Sequence, residues 1–422
     1  MAEHAGKPKV RFAGFTEDWE QRNVGDLLIE RDEQAPKSNK YPLMAFIANE
    51  GVAPKGERYD RSSLVTDTVN KLYKKTEFGD FIYSSNNLET GSIGLNNYGK
   101  ASISPVYSIF FPTQIADSDF LGRRLVRKDF INEMVKWRQG VIYGQWRIHE
   151  SDFVKIKIFV PSVEEQSRIG SFFRHLDRLI TLHQRKRGRL ENIKKAMLEK
   201  MFPKNGADVP EVRFAGFTED WEQREFKNLF KILPNNTLSR AELSFEKGIV
   251  KNLHYGDILI KFNEILDSCD KKIPFISRDM NFEKIKNAIL KNGDVVIADA
   301  AEDEAVGKCT EIFNISQNEQ IISGLHTIPC RPNIDFAQGF LGYYMNSNSY
   351  HSQLVPLMQG IKVLSLSKSS LQDTLITFPR TKKEQARIGT FFRQLDRLVA
   401  LHQRKVALLQ NIKKACLEKM FV

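Results

Sequence analysis

Residues 165–202 read EQSRIGSFFRHLDRLITLHQRKRGRLENIKKAMLEKMF, and residues 384–421 read EQARIGTFFRQLDRLVALHQRKVALLQNIKKACLEKMF. The two stretches are identical at 28 of 38 aligned positions. Neither stretch contains proline, and most of their residues are strong helix formers. The sequence therefore predicts one long helix in each copy, which at 1.5 Å per residue should be roughly 55–60 Å long.

Apolar side chains recur every seven residues in both copies, which is typical of a helix that packs along another helix. The predicted helix-packing positions are Ile169, Leu176, His183, Leu190 and Met197, then Ile388, Leu395, His402, Leu409 and Cys416. A single helix inside a larger bundle would show the same pattern. Two near-identical stripes in one chain favour packing of the copies on each other as a rod. The shared histidine position favours a polar residue that fixes the register over a metal ligand.

A second repeat precedes each of these helices at a distance. The stretch VRFAGFTEDWEQR occurs at residues 10–22 and again at residues 212–224. Between this leader and the long helix lies a region whose sequence differs between the two halves. The chain therefore reads as leader, variable region and helix, repeated once. The leader's aromatic residues, such as Trp19 and Trp221, favour anchoring of the chain onto a core over ligand binding.

Both variable regions alternate short apolar runs with turn signals, which predicts an α/β (α+β) fold for each. Candidate elements are strands at 41–47, 80–83, 102–111 and 155–160, a helix at 120–139, and a corresponding helix at 338–359. The predicted boundaries are a first globular domain at 1–162, a spacer helix at 163–203, a linker at 204–211, a second globular domain at 212–381 and a second spacer helix at 382–422. We expect two globular domains separated by an antiparallel coiled-coil rod, with pseudo-twofold symmetry.

Bulk composition limits the classes of partner. The net charge is +11 and the sequence pI is about 9.3, which favours a polyanionic partner, most often nucleic acid. The four cysteines form no CxxC pair and no zinc-type cluster, so we expect reduced thiols. No apolar run approaches the ~18–20 residues that cross a bilayer, and the first residues lack the apolar segment of a signal peptide. These features favour a cytoplasmic protein with no membrane partner.

Recognisable catalytic motifs are missing from the sequence. It contains no GxxxxGK[ST] phosphate loop, no HExxH, no GxGxxG turn after a strand, and no Asn-Pro-Pro-Tyr or Asp-Pro-Pro-Tyr tetrapeptide. The acidic run at 299–304 lacks the spacing of a calcium loop and favours a polar loop over a metal site. We therefore expect no catalytic residues, no metal and no cofactor in this chain.

The combination of near-identical helices and divergent globular domains indicates two different readers on a shared spacer. Duplex DNA has local twofold axes, and dimeric readers match them. Because the two variable regions differ, they should read two different half-sites separated by a gap. The sequence therefore predicts a bipartite, asymmetric target in double-stranded DNA.

Candidate base contacts are polar loop residues, since Asn and Gln suit adenine whereas Arg and Lys suit guanine. In the first region they are Asn86, Asn87, Asn96, Asn97, Tyr98, Lys100, Gln145 and Arg147. In the second region they are Lys308, Lys362, Ser365, Ser367 and Lys368. Asparagine in a loop often serves the turn itself, which is the alternative for each of the asparagines.

Several motifs recur in the same order in both halves. They are Pro161 followed by Glu164-Glu-Gln-x-Arg-Ile169, Pro379 followed by Lys383-Glu-Gln-x-Arg-Ile388, the Asp-Arg-Leu…His-Gln-Arg-Lys runs that begin at Asp177 and Asp396, and the Gly-Asp-aliphatic segments at Gly79 and Gly293. In layout and motifs the chain resembles the DNA-specificity (S) subunit of type I restriction–modification systems. The resemblance covers nearly the whole chain.

The resemblance implies that each globular domain is a target recognition domain and that the helices are central spacers packed antiparallel. It implies a subunit without catalysis of its own, which joins two modification (methyltransferase) subunits and two restriction (motor-nuclease) subunits. The modification subunits would carry S-adenosylmethionine and methylate adenine. ATP and Mg²⁺ would likewise be bound by the partner subunits.

The same resemblance implies that the spacer helices dock the modification subunits. Candidate docking positions are Phe172, Phe173, Arg174, Phe391, Phe392 and Arg393. One ring of each phenylalanine pair exceeds what the helix seam needs, which favours a second contact. The alternative function is a stand-alone bipartite DNA-binding regulator, which would bind its target tightly without partners. A further alternative is a structural scaffold whose basic surface is incidental.

Overall fold

The computed structural model describes residues 6–54, 71–142, 145–204, 207–246, 248–277 and 285–422. The chain forms two compact units, of which the first comprises Met1–Gln184 with Arg404–Val422 and the second comprises Arg185–Gln403. Two helices of 38 residues contribute to both units. They are the first long helix, Val163–Lys200, and the second long helix, Lys382–Lys419.

The first unit contains short strands in several small sheets. Its strands are β1 (Glu20–Asn23), β2 (Leu28–Glu30), β3 (Gln34–Ala35), β4 (Ala45–Ile47), β5 (Gly51–Ala53), β6 (Tyr73–Thr76), β7 (Phe81–Tyr83), β8 (Ile93–Leu95), β9 (Ala101–Ile103), β10 (Ser108–Pro112), β11 (Gln139–Ile142), β12 (Gln145–Arg147) and β13 (Lys157–Val160). A four-stranded antiparallel sheet has the order β2-β10-β7-β8, and a three-stranded sheet has the order β3-β6-β9. The pairs β1-β13, β4-β5 and β11-β12 complete the first unit.

The second unit repeats this plan with larger sheets. Its strands are β14 (Glu222–Glu225), β15 (Phe230–Ile232), β16 (Leu243–Ser244), β17 (Val250–Leu253), β18 (Ile265–Asp267), β19 (Phe275–Ile276), β20 (Val295–Ala298), β21 (Ala300–Ala301), β22 (Cys309–Phe313), β23 (Gln320–Ser323), β24 (Thr327–Pro332), β25 (Leu364–Ser365) and β26 (Leu375–Phe378). The five-stranded sheet β15-β24-β20-β22-β18 contains the counterparts of β2, β10, β7 and β8 in the same order. The remaining sheets are β16-β19-β17-β23, β14-β26 and β21-β25.

Short helices connect these strands. Those of the first unit are Val24–Leu27, Ser118–Arg124, Lys128–Lys136 and Glu150–Phe153. Those of the second are Phe226–Leu229, Tyr255–Ile260, Phe340–Met345, Asn348–Leu354 and Lys368–Gln372, with 3-10 turns at Arg240–Glu242, Lys286–Ala288 and Val355–Leu357.

The helix expected at 120–139 is two helices, because the backbone of Arg127 is extended and its guanidinium donates to the carbonyl of Leu417. The helix expected at 338–359 is likewise divided, since Ser347 is extended and its hydroxyl donates to the carbonyl of Tyr344 at 2.6 Å.

Within each unit the long helices pack antiparallel. In the first unit the rings of Phe173 and Phe421 lie 5.9 Å apart, and Asp177 pairs with Lys413. In the second unit the rings of Phe202 and Phe392 lie 5.9 Å apart, and Lys194 contacts Asp396 at 2.7 Å. As the residue number rises along one helix, the number of the residue it contacts on the other helix falls, so the two helices run in opposite directions. The predicted fold class, with α/β domains alternating with long antiparallel helices, is confirmed.

The leader segments lie at equivalent places in the two units. The amide of Val10 donates to the carbonyl of Lys419 at 3.0 Å, and the amide of Val212 donates to that of Lys200 at 2.9 Å. Trp19 and Trp221 are each 3% exposed and lie in the cores. Each leader thus joins the end of a long helix to the core of its unit.

The polar start of each long helix is also fixed to the leader. Glu165 is fully buried and receives two hydrogen bonds from Arg11, at 2.6 and 2.7 Å. Glu384 receives the same pair from Arg213, at 2.7 and 2.9 Å. A bidentate guanidinium–carboxylate pair fixes position as well as charge, so both variable regions are held on the same frame. No helix in the described part of the chain has both the length and the apolar character of a membrane span.

Candidate nucleic-acid interface

The Gly-Asp segments form the same turn at the start of β7 and β20. Gly79 and Gly293 have φ of +88° and +87°, a conformation that glycine adopts without strain. The Asp80 carboxylate accepts from the Glu77 amide at 2.7 Å, and Asp294 accepts from Lys291 at 2.7 Å. The central strand of each sheet, β7 or β20, is therefore preceded by a turn of the same geometry.

An arginine holds each of these aspartates: Arg31 directly follows β2, and Arg331 lies on β24, which pairs with β20. Arg31 donates to Asp80 at 3.1 Å, and Arg331 donates to Asp294 at 2.7 and 2.9 Å. Burial raises the pKa of Asp80, while the amide of Glu77 and the Arg31 guanidinium act in the opposite direction. The Gly-Asp motif is thus a structural device, because its carboxylates are occupied by contacts within the fold.

The loop after each central strand meets the segment that precedes a short helix. In the first unit the amide of Ile148 donates to the hydroxyl of Ser85 at 3.0 Å. In the second unit the amide of Leu366 donates to the carbonyl of Asp299 at 2.8 Å. Ser85 and Asp299 occupy the same position relative to their Gly-Asp turns. Each unit therefore brings the loop after its central strand against the segment that precedes a short helix.

In the first unit these loops form loop cluster 1, defined by Asn86, Gln139, Trp146, Arg147 and His149. They line a cavity of about 810 Å³. The Arg147 side chain is 64% exposed and lies 3.6 Å from the partly buried carboxylate of Glu150, beyond hydrogen-bond distance. Trp146 is 46% exposed. The cluster offers a guanidinium, amides, an imidazole and an indole to solvent.

In the second unit they form loop cluster 2, defined by Asn235, Asp299, His326, Ser365 and Lys368. The Lys368 ammonium donates to the Asn235 side-chain oxygen at 3.3 Å, and Nδ1 of His326 lies 3.3 Å from the Asp299 carboxylate. His326 has φ of +52°, which is uncommon for a residue other than glycine and marks a fixed loop conformation. Burial raises the pKa of Asp299, and His326 and Lys368 oppose that rise.

The two clusters share a position in the fold but not their chemistry. Cluster 1 presents an arginine and a tryptophan, whereas cluster 2 presents a lysine and a carboxylate–imidazole pair. Side chains of these types form hydrogen bonds with base edges and ion pairs with phosphates. The arrangement can therefore read two different short sequences with one kind of scaffold.

The first-region candidates divide between two places. Asn86 and Arg147 lie in cluster 1, and Asn87 is exposed on the same turn as Asn86. Gln145 begins β12, and its side chain lies outside the described residues. Asn97, Tyr98 and Lys100 are exposed in the loop after β8. Because β8 runs antiparallel to β7, this loop lies at the other end of the sheet from the loop after β7.

Asn96 has a structural role rather than the expected DNA contact. Its side chain is fully buried and donates to the hydroxyl of Thr76 at 3.0 Å and to the carbonyl of Gly99 at 2.7 Å. Its oxygen accepts from the amides of Tyr98 and Gly99. All four hydrogen-bonding positions of the amide are used within the loop, so none is left for a base.

The second-region candidates are also divided. Ser365 and Lys368 belong to cluster 2, and Lys362 is exposed close by along the chain. The hydroxyl of Ser367 accepts from the amide of Ser370 at 3.0 Å and caps the helix Lys368–Gln372, so it serves local structure. Lys308 is half-buried and donates to the carbonyl of Leu259 at 2.8 Å. Burial lowers the pKa of Lys308. This environment argues against a DNA contact by Lys308.

The predicted helix-packing positions lie on the sides of the long helices that face the two cores. Four are buried, namely Ile169, Leu176, Ile388 and Leu395. Four are partly buried against the cores, namely Leu190, Met197, Leu409 and Cys416. His183 and His402 are half-buried near the middle of their helices.

The predicted docking residues are mostly inside the units. Phe173 and Phe392 are fully buried, which argues against a docking role because a buried ring cannot contact a partner. Phe172 packs on Phe12 of the first leader at 5.7 Å, and Phe391 packs on Phe214 of the second at 5.9 Å. The extra ring of each pair therefore contacts the leader. Arg174 is 57% exposed and lies 3.0 Å from Asp119, whereas Arg393 is half-buried.

Sequence reasoning missed several members of the two clusters. They are Gln139, Trp146, His149, Asn235, Asp299 and His326. Asp299 could have been found by aligning the two Gly-Asp segments, since it stands opposite Ser85. His326 lies beside Asp299 in a loop conformation with a positive φ, and no feature of the sequence predicts that conformation. In the described part of the chain, no group of three or more His, Cys, Asp and Glu residues is placed to hold a metal ion.

Comparison with known proteins gives consistent matches along the chain. Residues 16–192 and 218–411 match the family described as type I restriction modification DNA specificity domain. The chain is 22% identical over 431 residues to the type I restriction enzyme MjaVIII specificity subunit of Methanocaldococcus jannaschii, covering 94% of this chain and 91% of that protein.

Solved structures also match. The type I restriction–modification S subunit from M. genitalium has a TM-score of 0.51 at 11% identity, covering 98% of this chain and 99% of that one. The HsdS subunit from Thermoanaerobacter tengcongensis has a TM-score of 0.46 at 20% identity, with 96% of each chain covered.

Proposed function

This chain belongs to the type I restriction–modification DNA specificity family, and on that premise we propose that it selects the DNA sequence on which a type I complex acts. It is a type I specificity subunit with two specificity domains. We propose that each domain reads one half of a bipartite, asymmetric target in double-stranded DNA.

The observation that carries this proposal is the pairing of a common frame with divergent loop clusters. The frame is repeated in both units, including the Arg11–Glu165 and Arg213–Glu384 pairs. Clusters 1 and 2 occupy the same place on that frame and present different side chains. Different side chains at equivalent positions should select different bases, so the two half-sites should differ.

Direct readout would come from the exposed side chains of the clusters. A guanidinium such as that of Arg147 suits the two acceptors of guanine, and an amide such as that of Asn86 suits adenine. The ammonium of Lys368 suits the acceptors of guanine, whereas Lys362 suits phosphates, which position the protein without reading sequence. With a net charge of +11, binding should weaken steeply as salt increases.

The long helices would set the gap between the half-sites. Each helix is continuous over 38 residues and contributes to both units. A continuous helix has a fixed rise per residue, so the number of base pairs in the gap should depend on helix length.

Chemistry would reside in partner subunits. We propose that two modification subunits and two restriction subunits join this chain, that S-adenosylmethionine, ATP and Mg²⁺ bind to those partners, and that the chain itself is non-catalytic. Exposed apolar side chains on the long helices support docking of further helices. They are Leu182, Leu408 and Ile412 in the first unit, and Ile193, Leu398 and Leu401 in the second. Large exposed apolar side chains grouped on one element favour a protein interface.

A selection experiment tests this proposal. Random duplex DNA would be selected by the purified chain, alone and with a co-expressed modification subunit, and then sequenced. Enrichment of a two-part asymmetric sequence that depends on the modification subunit is the expected result. Tight and specific binding by the chain alone would instead favour a stand-alone bipartite regulator. A lack of enrichment under both conditions would contradict sequence recognition altogether.

A further inference from the structure

A narrow hairpin projects beside loop cluster 2. The amide of Gln359 donates to the carbonyl of Ser365 at 3.0 Å, and the amide of Ser365 donates back at 2.8 Å. The chain reverses between them, with Gly360 at φ of +123°. A Cβ atom on Gly360 would lie 2.0 Å from the carbonyl oxygen of Val363, so the reversal is tight and requires glycine.

The tip of this hairpin is apolar and faces solvent. Ile361 is 100% exposed and Val363 is 55% exposed. The intervening Lys362 is also exposed. A single exposed apolar residue is ordinary on a protein surface. A fully exposed isoleucine at a constrained tip is different, because none of the described residues covers its side chain.

The hairpin is joined to the residues of cluster 2. Leu364 and Ser365 pair with Ala301 and Ala300, directly after Asp299. Lys368 follows on the other side, at the start of the next helix. The apolar tip thus extends from a base that carries polar and cationic side chains.

The first unit carries a hairpin at the corresponding position. Strands β11 and β12 pair antiparallel, and Trp146 on β12 is 46% exposed beside Arg147. Residues 143–144 lie outside the described residues. The second-unit turn is closed by the single bridge between Gln359 and Ser365, and the first-unit ribbon is two-stranded, but both carry an exposed large apolar side chain at the loop cluster.

Two properties of duplex DNA fit this feature. The major groove admits an element as wide as a two-stranded β-ribbon, so it has room for a tight turn such as 359–365, and thymine displays an apolar C5-methyl group on that edge. The flanking Lys362 and Lys368 match the charge of the phosphates that border the groove. We propose that the hairpin at 359–365 enters the major groove and that Ile361 contacts the C5-methyl group of a thymine. The inference rests on the proposed function and specifies how the second half-site is read.

The test combines a protein variant with a base analogue. The target would first be defined with the wild-type chain and its modification subunit, and each thymine of the half-site assigned to the second unit would be replaced by deoxyuridine. Wild type should lose affinity about four-fold at one such position, the effect of removing one methyl group from an apolar contact. Ile361→Ala should bind thymine and deoxyuridine duplexes equally at that position. Its unfolding should be unchanged, since the side chain is fully exposed.

A matched control is available in the same unit. Ile260 is 84% exposed at the end of the helix Tyr255–Ile260, so Ile260→Ala removes a similar exposed side chain elsewhere. This variant should keep the preference of wild type for thymine.

Three results would overturn the inference. One is a thymine preference that persists in Ile361→Ala, and another is a half-site in which no thymine methyl matters. The third requires duplexes in which 2-aminopurine replaces an adenine of the half-site. If its fluorescence rises on binding of wild type but not of Ile361→Ala, while deoxyuridine has no effect, Ile361 inserts between bases instead. All three leave selection of a target by wild type intact. Loss of target selection by wild type itself would instead refute the proposed function.

Discussion

The buried Glu165 explains the Glu-Gln motif that opens each long helix. Its carboxylate is held by Arg11, and the side chain of the adjacent Gln166 donates to the carbonyl of Pro161 at 2.9 Å and accepts from the amide of Asp117 at 3.0 Å. Gln385 makes the matching contacts with Pro379 and Ala337. Two adjacent side chains thus fix the leader, the strand end and a loop to the start of the helix.

Arg11→Ala should lower the free energy of unfolding of the first unit by about 3 kcal/mol, because it leaves the carboxylate of Glu165 buried without its partner. Lys7→Ala is the matched control, since the Lys7 and Asp18 side chains are 58% and 67% exposed and such pairs contribute little. Urea denaturation followed by tryptophan fluorescence would measure both. Equal effects of the two variants would show that the Glu165 pair has no special role.

Asn96→Ala should destabilise the first unit by about 1–3 kcal/mol, because the amides of Tyr98 and Gly99 lose their acceptor. Asn97→Ala removes a neighbouring exposed side chain and should change stability by about 0.5 kcal/mol or less. Thermal unfolding would compare them, and DNA affinity would be measured at a temperature where both are folded. A folded Asn96→Ala protein that fails selectively in DNA binding would restore Asn96 as a base contact.

The stability of the second unit should depend on pH through Glu311. Burial raises the pKa of Glu311 to about 7, against the hydrogen bonds from the amides of Gly339 and Gly342. The folded state then binds more protons than the unfolded state between about pH 4.5 and 7. Stability should therefore fall as the pH rises through that window, by up to about 3 kcal/mol.

Glu311→Gln should remove this part of the pH dependence, because glutamine does not titrate. Unfolding free energies of wild type and variant from pH 5 to 8 would give the difference in slope, in which the contribution of the histidines cancels. Parallel curves would mean that Glu311 is ionised in the folded protein throughout.

Among the elements, the long helices depend on a close approach at one glycine. A Cβ atom on Gly170 would lie 2.5 Å from a carboxylate oxygen of Asp117 and 2.8 Å from Cβ of Asp119. Gly389, at the same place in the second helix, would meet the carbonyl oxygen of Gln338 at 2.8 Å. A Cβ atom on Gly188 would meet no described atom within 4 Å outside its own helix backbone. The second helix has Ala407 at that position.

Gly170→Ala should therefore destabilise the first unit by about 1–3 kcal/mol through overpacking. Gly188→Ala should stabilise the protein by up to about 1 kcal/mol, since alanine favours the helix and meets no obstacle. Circular dichroism during thermal unfolding would record both shifts. Stabilisation by both variants would show that the contact at Gly170 is loose.

The long helices could be predicted because their signal is local and repeated over 38 residues. The strands are much shorter, and the run expected at 102–111 is two strands that flank Pro105, which has no amide hydrogen to donate. The division of the helix at 120–139 depends on a contact of Arg127 with Leu417, far away in sequence. Tertiary contacts of this kind leave no periodic pattern.

Site residues were harder to predict for the same reason. Asn96 and Asn97 are adjacent and chemically identical, yet one is buried and the other exposed. The loops that hold Asn86 and Lys100 looked equivalent in the sequence, and antiparallel strands carry them to opposite ends of a sheet. Composition can point to polar loops, but only strand pairing shows which loops lie together.

In the molecule as a whole, the repeated frame separates stability from specificity. The residues that fix the leader and the start of the long helix in each unit are identical in the two halves, as with Arg11 and Arg213 or Trp19 and Trp221. The residues of the loop clusters differ. Changes in one cluster should therefore alter one half-site and leave the other half-site and the fold unaffected.

The decisive measurement is a map of methylated adenines in random duplex DNA, made with this chain, a modification subunit and S-adenosylmethionine. Wild type should methylate adenine only within a split, asymmetric sequence. Arg147→Ala should reduce the preference for one base at one position of one half-site. Lys368→Ala should do so at one position of the other half-site. Each preference should fall by roughly 5- to 150-fold if a direct base contact is lost. Methylation without a split motif, or variants that both alter the same half, would contradict recognition by two independent loop clusters.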